Sequence, residues 1–336
     1  MKKKTKKDKK TKKPKHADKA KRAKRSRKKV KPSAKVVKAP AAVPAPKAHY
    51  SDGHPLDQIK FLECKIILKG ERFTSLDSFN EFAKLVQRAA DATGVGFSRK
   101  GFKGLQPQLR EVLFLDTADF KLYNNAFILR RRTPYEHGFL AGDPEMVFKF
   151  RHTDHDKTAN MDVRPKLAGP YEIKFKAEIL PLKDELGGIR MLYSHNAQFP
   201  LSSLHEGDRN SMATLIRVFP ALAAINTAEG ENVELVNQTA VVEVLLDIGM
   251  LDFGKGVKAK ANVAVWRTRG DEKQLVGEFA YQVKFNRESD VHEEQSRRNE
   301  QFFVSLQHIA SEWVAGGVTK TGAVYRLKGN PPTAHE

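Results

Sequence analysis

Alternation of apolar and polar residues along short segments constrains the fold of this chain more than any other feature. In the first such segment, Leu62, Cys64 and Ile66 fall on one face, while Glu63 and Lys65 fall on the other. Because side chains of a strand point alternately to its two faces, this pattern predicts β-strands with one apolar face. The eight predicted strands are 61–68, 112–116, 127–132, 146–151, 171–178, 241–248, 258–269 and 278–285.

Three other segments repeat apolar residues at helical spacing, and they predict helices at 75–92, 212–224 and 290–314. Gly94 is predicted to end the first helix, and Asp290 with Glu293 resembles a capping box at the start of the third. The strands and helices do not alternate as they do in parallel sheets, so the order of elements predicts an antiparallel α+β fold.

The second face of the predicted strands carries charges of both signs. Its cations are Lys65, Arg130, Arg132, Lys149, Arg151, Lys174, Lys176 and Lys284, and its acids are Glu63, Glu172, Glu178, Glu243, Asp247 and Glu278. Two interpretations fit: an open sheet with a solvated outer face, or a closed barrel with a charged lumen. In a barrel, the converging cations would suit an oligophosphate, and the acids would suit Mg²⁺ or Mn²⁺.

The net charge of +20 lies entirely in the first 50 residues, which hold 22 of the 60 Lys and Arg and two of the 40 acids. Residues 1–50 are predicted to be a disordered tail, because Lys, Ala and Pro cannot bury enough apolar surface to fold. Within it, residues 1–48 are predicted to bind nucleic acid or polyphosphate non-specifically; a solubilising or targeting extension is the alternative. Residues 51–336 have no net charge and are predicted to form a single domain.

Several classes of site and location are excluded or disfavoured by the sequence. With Cys64 as the only cysteine, no intramolecular disulfide or cysteine-based zinc site can form, and a cytoplasmic location is expected. No apolar run approaches the length of a membrane span, and the basic N-terminus lacks the apolar core of a signal peptide. The stretch 152–156, His-Thr-Asp-His-Asp, is interpreted as a solvated loop in preference to a metal site.

Between residues 59 and 326, short motifs follow one another in an order that is found in a known protein superfamily. They are FLECK at 61–65, LFLDT at 113–117, Leu122, LRRR at 129–132, FKFR at 148–151, LDIG at 246–249 and EFAYQ at 278–282. This series resembles the CYTH, or triphosphate tunnel metalloenzyme, superfamily, whose first strand reads Glu-x-Glu-x-Lys. The resemblance implies an eight-stranded antiparallel β tunnel flanked by helices, and phosphoryl or nucleotidyl transfer on triphosphates.

The resemblance also implies roles for individual residues. The phosphate-binding residues would be Lys65, Arg130, Arg132, Lys149 and Arg151. Glu63 and Glu278 would be catalytic carboxylates and ligands of Mg²⁺ or Mn²⁺. Glu172, Glu243 and Asp247 are the candidates for a further carboxylate ligand, and Glu243 is predicted as the third metal ligand. The sequence departs from the family pattern because Phe61, Ala280 and Gln282 stand where carboxylates are expected.

Three hypotheses follow for the function. The first is a metal-dependent phosphohydrolase of tripolyphosphate or of a nucleoside or other organic triphosphate. The second is a catalytically silent tunnel that binds phosphoanions. The third is a β-rich protein that acts through the basic tail and binds polyanions. The oligomeric state is not predicted by any feature of the sequence.

Overall fold

Nine strands form a closed ring in the computed structural model, which describes residues 49–205, 209–286, 290 and 292–329. In chain order, the strands are β1 (Phe61–Leu68), β2 (Gly96–Ser98), β3 (Gln108–Asp116), β4 (Phe127–Glu136), β5 (Phe139–Leu140), β6 (Glu145–His152), β7 (Glu172–Pro181), β8 (Ile189–Pro200), β9 (Glu234–Leu235), β10 (Val241–Asp252), β11 (Lys258–Thr268) and β12 (Gln274–Lys284). The ring runs β10-β11-β12-β1-β7-β8-β6-β4-β3 and closes where β3 pairs with β10. This closure confirms the predicted barrel and excludes the open sheet.

The ring differs from the predicted eight antiparallel strands by one strand and one pairing. All eight predicted segments are strands, and the ninth ring strand is β8, which the sequence did not reveal. Ser194, His195 and Asn196 interrupt any two-residue period there, although all three are buried. A closed ring with an odd number of strands cannot be antiparallel throughout. The parallel pair lies between β1 and β7, where Glu63 is in register with Glu178.

Six helices accompany the ring among the described residues. They are α1 (Leu76–Thr93), α2 (Lys121–Asn124), α3 (His155–Ala159), α4 (Met212–Val218), α5 (Glu293–Ile309) and α6 (Lys320–Tyr325). The largest apolar core lies between the outer face of the ring and helices α1 and α5. The ring of Phe82 on α1 lies 5.6 Å from Phe279 on β12, and Phe302 on α5 lies 5.7 Å from Tyr281. The apolar face of the strands therefore points outward, which leaves the charged face to the lumen.

The predicted helices are confirmed in position, with corrections at their ends. Gly94 ends α1 in the left-handed conformation, with φ of 68°, as predicted. The predicted helix 212–224 is divided at Pro220, which has no N–H to donate, and a 3₁₀ turn follows α4. Helix α5 begins after His292, so Asp290 does not cap it, and it ends at Ile309, short of residue 314.

Helix α6 is anchored firmly against the ring. The ring of Tyr325 stacks on Tyr123 with 4.2 Å between centroids, and its hydroxyl donates to Asp116 Oδ2 at 2.9 Å. Asn237 Nδ2 donates to the backbone oxygens of Val324 and Tyr325 at 2.7 and 3.1 Å. These contacts fix the helix so that its first residues enter the lumen.

Three predictions concern regions beyond the ring. Residues 1–48 lie outside the described residues, so the tail, its partners and the division at residue 50 stay predictions. In the described part of the chain, no helix is long and apolar enough to cross a bilayer. The stretch 152–156 leads into α3, where Asp154 accepts a hydrogen bond from Lys157 N at 2.9 Å and caps the helix.

Candidate functional site

The lumen of the ring holds a cavity of about 240 Å³, and all eight predicted site residues line it. They are Glu63, Lys65, Arg130, Arg132, Lys149, Arg151, Glu243 and Glu278. Each lies at an inward position of its strand, so the two-residue period of β1, β4, β6, β10 and β12 points their side chains into one space. The structure therefore brings these residues together, while the role of each one stays a prediction.

The lumen also contains charged residues that the sequence did not single out as site residues. Arg110 on β3, Lys176 and Glu178 on β7, and Lys320 on α6 line the cavity. With them, the wall carries eight cationic and four acidic side chains, an excess of four positive charges. Other charged-face residues do not line the cavity; they are Glu172, Lys174, Asp247 and Lys284. Strand alternation could place Lys176 and Glu178 on the right face, but no local signal indicates Arg110 or Lys320.

Glu178 is the acidic centre of one half of the lumen. Its carboxylate, fully buried, lies 3.0 Å from Lys65 Nζ, 3.1 Å from Lys149 Nζ and 4.0 Å from Arg151 Nη1. Burial alone would raise its pKa, but the three cations hold the pKa of Glu178 well below the usual range. Glu178 is therefore a carboxylate that fixes the positions of cations.

The pKa values of Lys65 and Lys149 shift in opposite directions, although both lysines contact Glu178. Lys65 Nζ also contacts Glu63 at 2.9 Å, and the nearby carboxylates raise the pKa of Lys65 despite its burial. For Lys149, burial outweighs Glu178 and, with the charges of Lys65 and Arg151, lowers the pKa to about 7. Lys149 is therefore the lumen cation whose charge changes near neutral pH.

Glu63 is held by two lysines. Its Oε2 lies 2.9 Å from Lys65 and 3.5 Å from Lys176. Although burial disfavours the carboxylate, these charges lower the pKa of Glu63 to about 2. A carboxylate with so low a pKa is a weak base at neutral pH.

Glu243 and Glu278 form the acidic part of the other half of the lumen. Arg110 Nε donates to Glu243 Oε2 at 2.7 Å, and the indole of Trp266 donates to Oε1 at 2.9 Å. Lys320 Nζ lies 2.7 Å from Glu278 Oε1 and 3.4 Å from Glu243 Oε1. Burial is again outweighed, and Lys320 and Arg110 lower the pKa of Glu243.

Arg130 differs from these cations because it has no ion pair with any residue that the structure describes. Its buried Nε also has no hydrogen-bond partner. Burial and the charge of neighbouring Arg132, which itself pairs with Glu145 at 2.7 Å, lower the pKa of Arg130 to about 9. A half-buried guanidinium with a buried, unsatisfied Nε and no ion pair is costly in free energy, and an anionic ligand would lower that cost.

The predicted metal ligands do not form a ready-made metal centre. Glu63, Glu243 and Glu278 line the same cavity, but each contacts a lysine, and Glu243 contacts Arg110 as well. Over the described residues, no three acidic, histidine or cysteine side chains are grouped closely enough to hold a metal ion. The donor set therefore does not fit the predicted Mg²⁺ or Mn²⁺ without rearrangement.

No family model matches the chain, and no curated protein matches it. Among solved structures, a candidate adenylyl cyclase from Hippeastrum, described as having a dominant triphosphatase activity, is 15% identical, with a TM-score of 0.39 over 82% of this chain and 98% of its own. The PH1819 protein from Pyrococcus horikoshii is 12% identical, with a TM-score of 0.32 over 78% and 96%. A candidate adenylate cyclase from Bacillus halodurans is 11% identical, with a TM-score of 0.32 over 78% and 95%.

All of these likenesses lie below 25% identity and a TM-score of 0.5, so they do not assign the chain to a family. At such identities and TM-scores they transfer neither substrate nor mechanism to this chain. The chemistry of the site must come from its own residues.

Proposed function

We propose that the tunnel binds the phosphates of a triphosphate, either inorganic tripolyphosphate or the triphosphate group of a larger molecule. The observation that carries this proposal is Arg130, an unpaired guanidinium in a lumen whose described wall has four more positive than negative side chains. Guanidinium groups bind phosphate oxygens through parallel hydrogen bonds, and these are strongest where water is excluded. An anion is thus the ligand that lowers the electrostatic cost of the empty lumen.

The lumen is also preorganised for such a ligand. Glu178 holds Lys65 and Lys149 at 3.0 and 3.1 Å, so neither side chain has to be ordered when the anion enters. Arg132 and Arg151 lie on neighbouring strands β4 and β6. A chain of phosphates carries more charge and more acceptor oxygens than a single phosphate, so it can contact more of these cations at once.

Hydrolysis of the bound triphosphate is the second candidate function, and Lys149 is the residue that favours it. In this reaction, water bonds to the terminal phosphorus while the bond from that phosphorus to the bridging oxygen breaks. The departing diphosphate group keeps the bridging oxygen and the electron pair of the broken bond. The lumen cations would stabilise the charge on the transferring group. With a pKa of about 7, Lys149 could give a proton to the leaving oxygen. Glu63 and Glu278 stay the predicted catalytic carboxylates.

Binding is tested with Arg130→Met in the full chain, with Arg131→Met as the matched control. Arg131 is the adjacent arginine, it does not line the cavity, and its Nη2 lies 3.6 Å from Glu111. Thermal unfolding and calorimetry with tripolyphosphate should show that Arg130→Met weakens binding roughly tenfold or more, whereas Arg131→Met does not. Because both variants retain the basic tail, any binding by the tail is common to them. Equal affinities would contradict the proposal.

Hydrolysis is tested by phosphate release from tripolyphosphate and from nucleoside triphosphates, with Mg²⁺ and with Mn²⁺. If the tunnel is an enzyme, Glu63→Gln and Glu278→Gln should lower phosphate release while tripolyphosphate still stabilises the fold. If the wild type binds tripolyphosphate and releases no phosphate under any condition, the silent phosphoanion-binding tunnel is the correct hypothesis.

A further inference from the structure

Lys320 lies between two of the three carboxylates that were predicted to bind metal. Its ammonium nitrogen is 2.7 Å from Glu278 Oε1 and 3.4 Å from Glu243 Oε1. The same nitrogen lies 4.9 Å from the ring centroid of Trp266, within the range of a cation–π interaction. A positive charge therefore already occupies the space between the two acids.

This position is built into the fold. Lys320 is the first residue of α6, its neighbours Thr319 and Thr321 are buried, and the helix is anchored by Tyr325 on Asp116. The packing of α6 already fixes the backbone at Lys320, so placing the ammonium group in the lumen costs side-chain entropy but no further ordering of the backbone.

We infer that Lys320 is a resident cation that takes the place of a divalent metal ion between Glu243 and Glu278. The tunnel therefore binds oligophosphate without Mg²⁺ or Mn²⁺; this second statement rests on the proposed function. The ammonium group has three donors, so it can hold both carboxylates and still offer a hydrogen bond to a phosphate oxygen.

A divalent ion could enter this position only by displacing the ammonium group from both carboxylates. The displaced lysine would keep its charge in a lumen that already has an excess of four cations. Arg110 would also stay on Glu243 Oε2, so a metal would find the two Oε1 atoms and few other ligands. Mg²⁺ and Mn²⁺ prefer several oxygen ligands, and the wild-type lumen offers them a poor site.

The test uses the full chain, freed of metal, with Lys320→Met as the variant. Methionine has a similar length and no charge, so it leaves the two Oε1 atoms without their cation. The control is Lys121→Met, which breaks a 2.7 Å ion pair with Glu231 away from the cavity. Binding of MnCl₂ alone is measured by calorimetry, and binding of tripolyphosphate in EDTA by calorimetry and thermal unfolding.

Wild type and Lys121→Met should show no saturable Mn²⁺ binding and should be stabilised by tripolyphosphate in EDTA. Lys320→Met should gain Mn²⁺ binding at least tenfold tighter than wild type. It should also lose roughly tenfold in tripolyphosphate affinity in EDTA.

Saturable Mn²⁺ binding by the wild type that Glu278→Gln removes would overturn the inference, as would a Lys320→Met variant that folds and gains no Mn²⁺ site. If tripolyphosphate binds only when Mn²⁺ is present, the inference also fails. Failure of tripolyphosphate to bind in every condition would instead overturn the proposed function, because the Mn²⁺ titrations do not depend on it. If Lys320→Met does not fold, the Mn²⁺ and tripolyphosphate titrations of the wild type still test the inference.

Discussion

Lys65 Nζ on β1 lies 3.0 Å from Glu178 Oε2 on β7, across the parallel strand pair of the ring. The pairing places Glu63 and Glu178 in register, so Lys65 reaches a carboxylate on its own strand and another on the neighbouring strand. This contact exists because β1 and β7 lie side by side, although more than 100 residues separate them in the chain. It joins the cations predicted to bind phosphate to a buried acid that fixes them.

Replacing Glu178 by glutamine should lower stability and strengthen anion binding. The change leaves Lys65 and Lys149 buried without their shared carboxylate, which should cost about 3 kcal/mol of unfolding free energy. It also removes one negative charge from the lumen, so at a pH low enough to keep Lys149 protonated, tripolyphosphate should stabilise the variant more than it stabilises wild type. Denaturant unfolding with and without tripolyphosphate measures both effects.

The pH dependence gives a second readout for Glu178. The folded pKa of Glu178 is lowered, so its stabilising contribution is present above its ordinary pKa of 4.5 and is lost as the pH falls through the folded value. The stability difference between wild type and Glu178→Gln should therefore narrow in acid. Glu172→Gln is the control, because its carboxylate is 62% exposed in a pair with Lys174. Its change should stay within about 0.5 kcal/mol, and an equal loss in both variants would contradict the prediction.

Lys149 should make anion binding depend on pH near neutrality. With a pKa of about 7, its ammonium group loses its charge as the pH rises, so tripolyphosphate affinity should fall between pH 6 and pH 8.5. Lys149→Arg keeps the charge over this range, and its affinity should depend less on pH than that of wild type. Calorimetry at both pH values measures the difference. The control is Lys260→Arg, whose lysine pairs with Asp247 at 2.7 Å without lining the cavity.

The ligand-free protein should show the opposite trend. The folded pKa of Lys149 lies below its ordinary value of 10.5, so the unfolded chain holds more protons between about pH 7 and pH 10.5. The contribution of Lys149 to stability therefore rises with pH over this interval. If wild type and Lys149→Arg show the same pH dependence of both stability and affinity, the lowered pKa is wrong.

Loss of the Tyr325 hydroxyl should loosen α6 and weaken anion binding through Lys320. Tyr325→Phe removes one buried hydrogen bond to Asp116 and should cost about 1 kcal/mol of stability. Asp116→Asn should cost about 2 kcal/mol, because the carboxylate also accepts from the backbone N–H groups of Leu122 and Tyr123. Both variants should bind tripolyphosphate more weakly, whereas Tyr171→Phe, at a half-exposed tyrosine, should match wild type. Lower stability with unchanged tripolyphosphate affinity would show that the anchoring of α6 does not affect anion binding.

Deletion of residues 1–48 should remove non-specific DNA binding and leave the tunnel unchanged. These residues carry the whole excess of positive charge, so full-length protein should bind DNA with an affinity that falls steeply as salt rises. The shortened chain should bind weakly and still be stabilised by tripolyphosphate. Fluorescence anisotropy over a salt series tests this prediction, and equal DNA binding by both proteins would contradict it.

The strands of the lumen wall were predictable because strand geometry is local. A two-residue period assigns Glu63 and Lys65, or Arg130 and Arg132, to one face whatever the rest of the chain does. The eight predicted site residues share the cavity for that reason. Strand β8 was not predicted because it places buried Ser194 and Asn196 next to buried His195, which leaves no two-residue alternation of apolar and polar residues. Because eight strands can close an antiparallel ring and nine cannot, missing β8 also meant that the parallel pair of β1 and β7 was not predicted.

The sequence by itself determined which face is charged and which face is apolar on most of the ring strands. Only the tertiary structure decided that β3 pairs with β10 to close the ring, that Glu178 meets Lys65, and that Lys320 enters between Glu243 and Glu278. The physical reason is how far apart in the chain the residues lie that determine each feature. A side chain's face follows from dihedral angles of neighbouring residues, whereas its partner depends on the packing of segments that are distant in the chain and leave no mark on the local pattern.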